Sequence, residues 1–216
     1  MGGFTYENNK NNPRIYNNSQ ELTLCSVFVK EFKIGLKPFL KHLNDGSLHK
    51  RLLKLFFSIK LLDRTSARGS LNVGEGLKTL KGKMLLREFV FTPKAGIRQQ
   101  FGNPQINEDD FSLLWQDFDP SSTLFPKSAT HFELQYLVLS YNQERNLFTT
   151  YTSLPTRRSK MDKRERLDLR LDKEVIKKKD GQYILFLCLR FFEILGEEEY
   201  ELMGRNAVGI EVLDVR

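Results

Sequence analysis

Residues Glu21 to Asp63 read ELTLCSVFVK EFKIGLKPFL KHLNDGSLHK RLLKLFFSIK LLD, and their periodicity sets the architecture. At about 100° per residue, Cys25, Phe28, Val29, Phe32, Leu36, Phe39, Leu40 and Leu43 form one apolar stripe. Lys30, Lys33, Lys37 and Lys41 share the opposite face, three and four residues apart. Ser19 is the expected cap of this helix. Pro38 lacks an amide hydrogen and crowds the preceding turn, which predicts a break near residues 35–37. Asn44-Asp45-Gly46-Ser47 then ends one helix and starts the next, with Gly46 suited to a positive φ and Ser47 to capping.

The second helix carries two apolar stripes. Leu48, Leu52, Leu55, Phe56, Ile59 and Leu62 form the main one. Leu53, Phe57 and Leu61, each four residues apart, form another on roughly the opposite side. A helix greasy on two sides is expected to lie between two layers, its partner helix and a sheet. Alternatively, the second stripe is a docking surface for another protein or subunit.

From Leu85 onward the period changes to that of strands. Strands are predicted at 87–92, 111–118, 132–141, 147–152, 166–172, 183–195 and 207–215. Tyr183 to Leu195 is apolar on both faces, interrupted by Arg190, and so needs cover on both. The expected fold class is α+β. An N-terminal helical hairpin packs on a C-terminal antiparallel β-sandwich of immunoglobulin-like type, and the second stripe of the hairpin lies against Phe186. Residues 1–18 read as a flexible, Asn-rich arm with Phe4, Tyr6, Ile15 and Tyr16 as anchors. Residues 19–84 read as the helical region, with a short third helix over 71–80 weakened by Gly74 and Gly76, and 85–216 as the sandwich.

The chain has 216 residues, 40% of them hydrophobic, and a net charge of +7. That size supports a substantial core. Cys25 and Cys188 both fall on apolar faces and are expected to be buried, reduced thiols. No secretory pattern, myristoylation pattern or membrane-spanning run is present in the sequence, so a cytoplasmic setting is the expectation.

No catalytic, cofactor or metal set emerges. Gly76-Leu77-Lys78-Thr79-Leu80-Lys81-Gly82-Lys83-Met84 fails the phosphate-loop spacing, and Met84 stands where Ser or Thr is required. Gly74-Glu75-Gly76 lacks the third glycine of a dinucleotide fingerprint. His42 and His49 flank the interhelical turn without enough further ligands for a metal. His131 opens a strand, with no Ser or Cys in a nucleophile-elbow context. Two functional readings follow. The first is a protein-interaction or self-association module, with Leu53, Phe57, Leu61, Tyr6 and Tyr16 as candidate interface residues. The second is a sequence-independent nucleic-acid contact through Lys30, Lys33, Lys37 and Lys41, with Arg157, Arg158 and Lys160 of a basic loop as a second contact. The lysine stripe carries no aromatic or base-reading side chains on its own face.

The order of features resembles an uncharacterised protein family of Bacteroidota from about Ser19 to the end. The hairpin is followed by Asp63 with Arg68-Gly69, then Leu86-Arg87-Glu88-Phe89, then Pro126-Lys127-Ser128-Ala129-Thr130-His131 leading into a strand. The resemblance implies a bacterial helix-plus-β-sandwich protein and carries over no functional residue.

Overall fold

The computed structural model describes residues 12–92, 97–177, 181–204 and 206–216. Phe4 and Tyr6 lie outside the described residues. The chain is a mixed helix-and-sheet protein whose strands pair antiparallel throughout.

Helix α1 spans Pro13–Gly35 and so begins inside the segment expected to be an arm. The Asn12 side chain accepts the Arg14 N–H at 3.0 Å and Pro13 occupies the first turn, a stronger start signal than Ser19. The helix breaks at Leu36 and resumes as α2, Lys37–Leu40, as Pro38 requires. Helix α3 spans Leu48–Lys60. Ser47 precedes it without a side-chain cap bond, and the positive-φ glycines do not include Gly46. Instead Asp45 organises the turn, accepting the Ser47 N–H at 2.8 Å and Oγ–H at 2.7 Å. These bonds, with Arg51 beside it, hold the Asp45 carboxyl down at about 2.

The expected third helix is two: α4, Val73–Lys78, and α5, Leu80–Arg87, divided at Thr79. Gly76 and Gly82 allow close backbone approach there. A Cβ on Gly76 would fall on the Ile59 carbonyl, and one on Gly82 on the Gly76 carbonyl. The boundary expected at residues 84/85 falls within α5, and the strand expected over 87–92 is instead the end of that helix and an irregular segment. Phe91 there enters the core at 5.8 Å from the Phe186 ring. Arg51 fastens the segment by donating to the Phe91 carbonyl at 3.0 Å. A further short helix, α6, covers Ile97–Phe101.

Three strands form a small sheet: β1 (Gln105–Ile106), β2 (Leu113–Phe118) and β6 (Glu165–Leu169). The larger sheet centres on β3 (His131–Asn142) and β7 (Gln182–Leu195), paired from Tyr141↔Gln182 to His131↔Phe192. Strands β4 (Leu147–Thr152) and β5 (Thr156–Ser159) flank β3, while β8 (Glu198–Glu201) and β9 (Val208–Val215) flank β7.

Strand alternation sorts the side chains of β3 and β7 into two apolar clusters. Leu137, Leu139, Tyr141, Ile184, Phe186 and Cys188 join the helices. Phe132, Leu134, Tyr136, Val138, Leu185, Leu187, Leu189 and Phe191 join the small sheet. β7 is therefore covered on both sides. Phe32, 6.0 Å away between ring centroids, and Phe91 stand against Phe186, while Leu53 and Phe57 pack half-buried at the margin of the same cluster and Leu61 is exposed. Both cysteines are buried and free, and burial pushes their thiols up to about 11 and 12.

Candidate functional site

Charge is unevenly divided along the chain. Residues 12–62 hold nine Lys and Arg against three Asp and Glu, so +6 of the net +7 sits on the hairpin. Two of its three acids are committed inside it: Glu21 to Lys60 and Asp45 to Arg51, both at 2.6 Å. Lys30, Lys33, Lys37, Lys41, Lys50 and Lys54 have no ion pair among the described residues. All but the half-buried Lys33 are exposed.

Exposed apolar side chains lie beside these lysines and along α1 before them. Tyr16, Val27 and Ile34 are 50%, 42% and 54% exposed, and helical geometry places them along one ridge of α1. Between α1 and α3, Lys30, Lys33, Ile34, Lys37 and His49 line an open depression of about 320 Å³. Leu53 and Phe57 pack half-buried against the helical core, on the flank of α3 from which Lys60 reaches Glu21. Leu61 is 59% exposed. The second stripe of α3 therefore turns toward its partner helix and outward, with the Lys60 ammonium 4.2 Å from the centre of the Phe57 ring.

The basic loop behaves differently. Arg157 donates to Glu133 at 3.2 Å and to Glu199 at 2.7 Å, and Arg158 pairs with Glu165. Lys160 lies 6.0 Å above the Phe125 ring. The two arginines read as polyanion contacts are thus bound to carboxylates of their own chain.

At the far end of β3 and β7, beyond the helical cover, the helix-side face turns polar. The cross-strand pair Glu133↔Arg190 is ion-paired, and Arg190 also reaches Glu201 at 3.2 Å. His42, just past α2, meets Glu201 at 2.7 Å. Burial and the neighbouring Arg190 lower the His42 pKa, against the opposing pull of Glu201. His131 stacks on Phe192 at 5.3 Å and bonds Glu199 at 2.8 Å. The interruption of the apolar face by Arg190 signals this network in the sequence. Its partners on other elements are not readable there.

Thr130 Oγ1, His131 and Glu199 are bonded in the order of a nucleophile–base–acid relay, with 3.0 Å from Oγ1 to the ring. The Thr130 hydroxyl, however, accepts the Ile194 N–H at 3.2 Å and donates to the Phe192 carbonyl at 3.3 Å. It splints the start of β3 to β7. Trp115 is buried, with its Nε1 3.5 Å from the Gly102 carbonyl oxygen. Among the described residues, no group of three or more His, Cys, Asp and Glu is placed to hold a metal, and no helix is long and apolar enough to cross a membrane.

No protein-family model, curated protein or solved structure matches this chain. On the outer helical face, exposed Tyr16, Val27 and Ile34 share one side of α1 with Lys30, and Lys33 and Lys37 flank it. Val27 and Ile34 are missed in the sequence because they lie outside the main apolar stripe, on the side of α1 that reads as a lysine face.

Proposed function

We propose that this chain is a non-enzymatic interaction or assembly module, a cytoplasmic component of a larger bacterial complex, that engages a protein partner through the outer face of α1 and α3. One observation carries the reading: exposed apolar side chains and unpaired lysines coincide on a single face. Scattered exposed hydrophobics are ordinary, but an apolar ridge rimmed by uncompensated charge marks an interaction surface. The architecture belongs to the same proposal: a helical hairpin on an antiparallel sandwich of immunoglobulin type. It is supported by the two apolar clusters that share the β3–β7 sheet.

The test is the mass of the native particle by light scattering, with Val27→Glu and Ile34→Glu compared against the parent chain. The reading expects a complex of defined stoichiometry that both substitutions dissociate while the thermal midpoint stays put. A strict monomer that purifies without partner overturns it.

A second reading, a sequence-independent nucleic-acid contact, rests on the Lys30, Lys33, Lys37 and Lys41 row. Four phosphate contacts would make log affinity fall with log salt at a slope of about −3 to −4 in a gel-shift titration. No shift at low salt removes this alternative.

A further inference from the structure

We propose that the outer face of α1 and α3 receives an acidic amphipathic helix of a partner protein. This deepens the interaction reading above and rests on it. The charge of the hairpin comes first. The hairpin that carries this face holds +6 of the chain's +7, and on the face itself Lys30, Lys33 and Lys37 outnumber the one acid beside them, Glu31, which favours a partner of opposite sign. This excess also argues against a second copy seated symmetrically on the same face, which would set lysine against lysine.

Shape and spacing then select among anionic partners. Lys30 and Lys33 of α1 are three residues apart, the interval at which a helix also presents carboxylates along one side, and Lys37 at the start of α2 lines the same depression. Ile34 stands among them, 54% exposed, at the rim of the concave depression between the helices. A phosphate backbone has no use for Val27 and Ile34, whereas the apolar stripe of an amphipathic helix covers both. A bilayer surface is flat on this scale and would leave the depression unfilled, while single side chains of a partner helix lying along α1 can seat in it. From Tyr16 to Ile34 the ridge runs about 27 Å, which matches a partner helix of about 18 residues.

The experiment titrates the full chain against a fluorescein-labelled peptide of about 18 residues, with leucine on one helical stripe and glutamate elsewhere. A scrambled peptide of the same composition, a single-stranded oligonucleotide and vesicles of anionic phospholipid are run beside it. The proposal expects saturable one-to-one binding of the amphipathic peptide, at least about tenfold tighter than the scrambled one, and weakening with salt. Lys33→Glu and Ile34→Glu should each reduce affinity about tenfold or more, with the far-ultraviolet circular dichroism and thermal midpoint unchanged. Equal binding of both peptides overturns the proposal in favour of unspecific polyanion attraction. Tighter binding of the oligonucleotide or of the vesicles overturns it in favour of those surfaces. Failure of the amphipathic peptide to bind overturns it outright. If the native complex nevertheless dissociates on Ile34→Glu, the interaction module stands and the partner's acidic helical character alone has failed.

Discussion

Lys60 of α3 donates to Glu21 of α1 at 2.6 Å, with side chains only 3% and 1% exposed, so an ion pair is sealed between the two helices. The Gly69 N–H gives Glu21 a second donor at 2.8 Å. Two charges out of water are tolerated only when each is matched, and removing one partner strands the other. Lys60→Ala should cost about 3–5 kcal/mol. Glu21→Leu combined with Lys60→Met should cost much less, because no buried charge is left behind: Arg68, 3.8 Å from Glu21, is 57% exposed and keeps its water. Urea denaturation of the three proteins checks the ordering.

The contact of α4 with the end of α3 depends on a missing side chain. A methyl at Gly76 would collide with the Ile59 carbonyl, which is backbone and cannot swing aside. Gly76→Ala should fall at the upper end of the roughly 1–3 kcal/mol that overpacking costs. Gly46→Ala, where nothing lies within 4 Å of the added methyl, should change stability by less than about 0.5 kcal/mol. Thermal denaturation of both variants distinguishes close packing from the general effect of replacing glycine.

Tyr136 points into the cluster between the two sheets, and its hydroxyl has no hydrogen-bond partner among the described residues. Burial pushes its pKa well above the ordinary tyrosine value. A buried donor left unmade is a net cost, so Tyr136→Phe should stabilise the protein by about 1 kcal/mol. A loss of stability measured in urea would mean that the hydroxyl is satisfied after all.

His42 predicts a pH dependence. Its folded pKa is lowered, by burial first and then by Arg190, so the folded state favours the neutral ring. The unfolded chain therefore takes up the proton first as the pH falls. The stability that His42 contributes is full above about pH 6.5 and is lost as the pH falls toward its folded value. Denaturation midpoints should decline between about pH 7 and 5 in the parent chain and decline less in His42→Gln. Glu21 and Asp45 are also lowered in the folded state, but their contributions are lost only below the ordinary carboxylate range, which keeps the windows apart.

Much of the scaffold is legible from local spacing. The strand expected over Leu147 to Thr152 is β4 with those bounds, and the break before Pro38 follows from a missing amide hydrogen. The doubly apolar β7 announces cover on both faces, as Phe186 and Leu187 confirm by joining opposite clusters. These features come from forces acting within one element, where the period of the backbone decides which side chains share a face.

The assignment of faces to partners is another matter. Leu53 and Phe57 have the spacing of a buried stripe yet stay half-buried at the margin of the cluster, while Phe32 and Phe91 stand against Phe186, because spacing along a helix sets direction and not destination. Arg157 and Arg158 look like free cations in a basic run until strand pairing brings Glu133, Glu199 and Glu165 beside them. The lysines of α1 look the same in sequence, and folding leaves them without ion pairs among the described residues. Local periodicity determines which residues turn inward. Contacts between residues far apart in the chain decide which charges are neutralised, and so where the surface is left with something to bind.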